Sequence, residues 1–67
     1  MSNKLWFVTD GVGLIQVCND LQIAESVLSK YQDDPDFEYY SYYSINLNKI
    51  ADYPQEFDMA REEGLLN

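Results

Sequence analysis

Asp10-Gly11 stands between two runs of strand-forming residues, and that arrangement restricts the chain more than any other feature of it. Leu5, Trp6, Phe7, Val8 and Thr9 precede it; Leu14, Ile15, Gln16, Val17 and Cys18 follow. β-Branched and aromatic residues suit a pleated strand. Asp-Gly between two such runs signals a hairpin, because glycine reaches the positive φ of a tight turn. Gly13 is a second permissive position, so a loop of about two to four residues is expected. In the first strand Leu5 and Phe7 face one way, Trp6 and Val8 the other. Both faces are apolar, which predicts a strand that is central or covered on both sides.

After Asn19 and Asp20, either of which suits a helix N-cap, the period changes. Leu21, Ile23, Ala24, Val27, Leu28 and Tyr31 recur on one face of a helix expected near residues 20 to 32. Asp33-Asp34-Pro35-Asp36 stops it, since proline cannot continue a helix. Residues 37 to 47 read as one long strand. Phe37, Tyr39, Ser41, Tyr43, Ile45 and Leu47 share one face; Glu38, Tyr40, Tyr42, Ser44 and Asn46 share the other. A strand of that length invites a bulge. Residues 46 to 51 read as a connection. Asp52 is the expected cap of a last helix, with Pro54 in its first turn and Gln55 completing a capping box. Gly64 closes that helix and lets Leu65 or Leu66 fold back onto it.

The predicted fold is a single α+β domain, residues 1 to 67, with element order β-β-α-β-α. Its small, mainly antiparallel sheet has strand order 2-1-3, because the crossover helix returns the third strand antiparallel to the first. The first helix lies on one face. The short C-terminal helix covers an edge, a sheet end or part of the other face. Leu5 or Trp6, Phe7, Ile15, Val17, Ala24, Val27, Leu28, Tyr43 and Ile45 are the expected core.

A chain this short buries only about 60% of its unfolded surface. Ordering it costs on the order of 100 kcal/mol of conformational entropy. Nearly every large apolar side chain is then needed inside, and little remains to line a deep pocket. Apolar residues make up 46% of the 67, enough for a folded chain despite its charge.

Twelve Asp and Glu against four Lys and Arg leave a net charge of −8. Lys4, Lys30, Lys49 and Arg61 are scattered, so the clustered cations that neutralise phosphates are missing. Direct nucleic-acid binding and docking on an anionic membrane are both disfavoured. A protein with a basic surface is the favoured partner, since complementary fields speed encounter. Cys18 is the single cysteine, so no internal disulfide forms. No basic region precedes an apolar run at the amino terminus, and no apolar stretch approaches the ~20 residues of a membrane span. A cytoplasmic location is expected. The chain starts with Met and carries no tag-like appendage, and so reads as a complete short gene product.

The residue inventory argues against an enzyme. No histidine is present, so neutral-pH general base chemistry lacks its commonest group, and Cys18 and the serines lack an activating imidazole. Cys18 reads as a small apolar residue at a strand end. No cysteine-histidine cluster exists for zinc. Asp33, Asp34 and Asp36 lack the glycine and distal glutamate of a calcium loop, with Pro35 between them. They read as a solvated, helix-ending loop. Gly11-Val12-Gly13 precedes a strand, not a helix, and is a hairpin turn and not a phosphate cradle. No cofactor or metal is expected.

The expected partner-binding residues fall into two acidic groups and two rings. Asp33, Asp34, Asp36 and Glu38 precede the third strand; Glu56, Asp58, Glu62 and Glu63 lie on the last helix, which Asp52 begins. Tyr40 and Tyr42 share a strand face that Trp6 and Val8 can join. Tyrosine buries much area at little entropic cost and is enriched at interface hot spots. The rival reading has the last helix covering these rings as a second small core. Tyr39 and Tyr43 are assigned to the main core. In size, charge and element order the chain resembles small inhibitor proteins encoded by bacteriophages, several of which present carboxylates to a nucleic-acid-handling enzyme in place of phosphates. The resemblance implies a stoichiometric inhibitor of a basic nucleic-acid-handling or defence protein. The alternative is a self-associating structural or regulatory protein, a homodimer through the third strand or the tyrosine face.

Overall fold

The computed structural model describes residues 3–66. β1 (Lys4–Thr9) and β2 (Leu14–Cys18) form an antiparallel hairpin. Its four-residue turn is held by two side chains from its β1 end. The Asp10 carboxylate accepts the N–H groups of Val12 and Gly13, each at 2.9 Å. The Thr9 hydroxyl donates to the Gly13 carbonyl at 2.9 Å and accepts the Gly11 N–H at 3.1 Å. Val8 pairs with Gln16 but Thr9 pairs with Leu14, so Ile15 is the extra residue of a bulge. The bulge resets the alternation. Leu14 and Val17, three apart, then serve one side of the sheet, while Ile15 and Cys18 serve the other.

α1 (Leu21–Ser29) starts at Asp20, whose carboxylate accepts the Gln22 N–H at 2.8 Å. Beyond Ser29 the backbone tightens: Lys30, Tyr31 and Gln32 donate to the carbonyls three residues back. β3 (Ser41–Asn46) pairs antiparallel with β1 from Lys4↔Asn46 to Thr9↔Ser41 without a register shift. The strand order is therefore β2-β1-β3, as the crossover argument predicts. α2 (Pro54–Glu62) follows a 3-10 turn over Ile50–Asp52.

The sheet lies between the two helices. On the α2 side Leu5, Phe7, Val17, Ile45, Ile50 and Ala60 are buried, with Phe57 and Tyr43 packed against them. On the α1 side Val8, Cys18, Ala24 and Val27 are buried, with Trp6, Leu28 and Tyr31 alongside. The central strand is thus covered on both faces, which explains its apolar run. Cys18 is buried at the end of β2, and desolvation raises its thiol above the usual range.

The structure corrects several expectations. The long strand over 37 to 47 is shorter. Phe37–Tyr39 form a 3-10 turn, and pairing begins at Ser41. β1 ends at Thr9, so residues before Ser41 have no ladder to join. They bond locally instead, with the Asp34 carboxylate accepting the Asp36 N–H at 2.8 Å. Tyr39, assigned to the core, is 61% exposed. Leu21 and Ile23 are exposed as well, because they flank the narrow line of Ala24 and Val27 that meets the sheet. Ile15, Leu28 and Tyr43 are half-buried, whereas Val8, Cys18, Ile50 and Ala60 complete the interior. Asp52 does not cap α2: it closes the preceding 3-10 turn, and Tyr53 occupies the cap position without a side-chain bond. Gly64 does close α2, at φ +76°, with the Leu65 N–H reaching back to the Ala60 carbonyl and Leu65 and Leu66 returned to the core.

Candidate partner-binding surface

The hairpin turn projects between two open grooves, and Val12 lines both. The first, about 410 Å³, runs between the turn and the 3-10 turn before β3, and is lined by Asp10, Gly11, Val12, Asp36, Tyr39 and Tyr40. The second, about 420 Å³, runs between the turn and α2, where Asp58, Met59 and Glu62 face Val12 and Leu14. Val12 is 97% exposed, an apolar tip with carboxylates on either side. Both grooves are open to solvent, so they offer surface rather than an enclosed cavity.

Two stretches of acid distant in sequence therefore meet around one loop. Each arrives there for a local reason. β3 must begin opposite Thr9, which holds the residues before Ser41 beside the turn. α2 packs against β2, which brings Asp58 and Glu62, with Gln55, to the turn's other side. Asp10 adds a carboxylate on the turn itself. The Gly13 and Val12 N–H groups it accepts hold its carboxyl below the usual range, so it stays ionised into mild acid. Two of the cations lie at the other end of the sheet and a third is paired. Lys4 opposes Asn46 at the far end of the sheet, and the Lys49 N–H bonds to the Asn46 carbonyl. Arg61 meets Asp58 at 3.4 Å, an exposed pair of little energetic weight.

The other expected site residues divide by environment. Asp33, Glu38 and Glu63 are exposed. Asp34 is half-buried and structural, accepting the Asp36 N–H and, at 3.2 Å, the Tyr40 hydroxyl. Tyr40 stacks on Tyr31 and Phe37 with centroids 5.1 and 5.9 Å away. Its partial desolvation and the Asp34 carboxylate hold its hydroxyl above the ordinary phenol range. Tyr42 meets Trp6 edge-on at 5.8 Å and donates to Glu25 at 3.3 Å. The α1 side, not the last helix, takes in this ring. Tyr43 stacks on Phe7 and donates to Glu56, and burial together with that carboxylate raises its hydroxyl well above the usual value. Glu56 is thus tied to the sheet rather than to the hairpin end.

Asp10, Val12 and Tyr39 went unassigned as surface in the sequence reading. One signal was available: a valine flanked by two glycines in a tight turn has no core within reach. Among the described residues, no group of three or more His, Cys, Asp or Glu side chains is placed to hold a metal ion, and no helix is long and apolar enough to cross a membrane. Comparison with protein-family models, curated proteins and solved structures finds no match.

Proposed function

We propose that this chain is a non-enzymatic binding domain that presents its acidic hairpin end to a basic protein surface, in the manner of a phage-type stoichiometric inhibitor of a nucleic-acid-handling or defence protein in the cytoplasm. The observation that carries the reading is the placement of Asp36 on one side of Val12 and of Asp58 and Glu62 on the other. An exposed valine between carboxylates is a small apolar anchor within an anionic rim, which suits a partner whose own groove is cationic. Single exposed carboxylates contribute only about 0–1 kcal/mol each, so recognition of this kind is shared among several of them.

The test uses the whole chain as bait in a bacterial lysate at low salt, with mass spectrometry of what is retained and binding kinetics on the partner so identified. Asp36→Lys, Asp58→Lys and Glu62→Lys together leave Asp34 and its hydrogen bonds in place. The triple variant should slow association markedly and flatten its salt dependence. Val12→Ser should chiefly speed dissociation. A partner that associates with parent and triple variant at the same rate and salt slope overturns the acidic-end reading.

A further inference from the structure

We propose that the free edge of β3 accepts an extended, basic segment of the partner as a fourth strand, a mode of contact that rests on the acidic-partner reading above and specifies it. β3 is the terminal strand on its side of the sheet. Its register against β1 decides which backbone groups face outward. The Leu47 N–H bonds to the Asn3 carbonyl at 2.8 Å, so the odd-numbered residues of β3 turn their N–H and C=O toward β1. Tyr42 and Ser44 then turn theirs away from the sheet.

Exposed edges are ordinarily blunted by charge, proline, bulges or brevity. β3 reads Ser-Tyr-Tyr-Ser-Ile-Asn, with no charge and no proline, and pairs over six residues without a shift. The opposite edge differs, since β2 carries the bulge at Ile15. Carboxylates flank the β3 edge on both faces. Glu25 is bonded to the Tyr42 hydroxyl on the α1 face, and Glu56 to the Tyr43 hydroxyl on the α2 face. Asp34 and Asp36 lie just before the Ser41 end. An added strand sends alternate side chains to the two faces, so lysine or arginine on both meets Glu25 on one and Glu56 on the other. Lys4, 5.9 Å over the Trp6 ring, and Lys49, whose N–H bonds to the Asn46 carbonyl, lie at the Asn46 end. A second copy of this chain is the poorer occupant, because it brings a net charge of −8 against −8.

The experiment titrates a short synthetic peptide in which pairs of lysines alternate with pairs of threonines, so that lysine projects from both faces of a strand, into the isotope-labelled full chain and follows every backbone amide by NMR. A peptide of equal charge interrupted by proline serves as control, because proline keeps the charge and removes strand pairing. The expected result is slowed hydrogen exchange at the Tyr42 and Ser44 amides with the alternating peptide, and affinity lower by roughly tenfold or more for the interrupted one. Glu25→Gln with Glu56→Gln should weaken the alternating peptide further. Equal affinity for both peptides, with shifts confined to residues 10–13 and Asp36, overturns strand addition and leaves the acidic-end reading standing. No binding of either peptide at low salt overturns strand addition, while lysate capture still decides the acidic-end reading. Protection of Tyr42 and Ser44 that grows with protein concentration alone assigns the edge to a second copy and overturns the basic occupant.

Discussion

Gly11 meets two demands at one position. Its φ of +92° lies where L side chains rarely go, and a Cβ there would stand 3.1 Å from both the Cβ and the carbonyl oxygen of Tyr39. Gly11→Ala is therefore expected to cost about 1–3 kcal/mol through strain and through displacement of the 3-10 turn that lines the first groove. Gly13 has open space around it and no positive φ, so Gly13→Ala should stay within about 0.5 kcal/mol. Chemical denaturation of the two variants compares them directly, and equal losses would show that the approach to Tyr39 carries no energy. Tyr43 makes a different kind of prediction. Its hydroxyl titrates well above the ordinary phenol value because it is desolvated and donates to Glu56. The folded state then holds a proton that the unfolded state releases near pH 10. The stability from this bond is complete below about pH 10 and is lost as pH rises through the folded pKa. Tyr43→Phe should flatten the alkaline limb of a stability-against-pH curve; a limb of unchanged slope would place the loss at other groups.

At the scale of elements, α1 shows how little of an amphipathic face a small sheet needs. Ala24 and Val27 are buried while Leu21 and Ile23 remain exposed. Val27→Ala is expected to cost about 1–3 kcal/mol in lost burial and cavity, and Ile23→Ala about 0.5 kcal/mol or less. Denaturation midpoints that fall equally for the two would mean that α1 sits on the sheet by another face. β3 shows a second effect: its length is set by its partner. Strand-forming residues continue upstream of Ser41, but β1 has turned away at Asp10, and a carboxylate-bonded turn takes over. That is how Tyr39 comes to be exposed beside the hairpin rather than buried in the sheet.

Across the whole molecule the charge acts in two opposed ways. Self-repulsion at −8 weakens a fold with little stability to spare. Salt screens it, so the denaturation midpoint should rise as sodium chloride increases from about 0.01 to 0.5 M, over which the Debye length falls several-fold. The same screening should weaken binding to a basic partner. A midpoint that does not rise would mean the carboxylates are already neutralised within the folded chain, and the case for an anionic recognition surface would fall with it.

The element order, the hairpin, the strand order 2-1-3 and the glycine-closed last helix were all legible from residue type and period. Local conformational preference and chain connectivity leave few alternatives for Asp10-Gly11, for the run from Ala24 to Leu28, or for Gly64. The acidic clusters were legible as composition, but their meeting was not. That Asp36, Asp58 and Glu62 converge on Val12 depends on where β3 starts against β1 and how α2 packs against β2. Tyr40 and Tyr42 were left open between interface and second core for the same reason, whereas Tyr39 and Tyr43 were both assigned to the main core. Alternation along a strand says that Tyr42 and Tyr43 point oppositely, but only the packing of α1 and α2 onto the two faces decided that each would be half-buried against a carboxylate. Periodicity is a property of neighbours along the chain, whereas a surface is made by residues that the fold brings together from far apart.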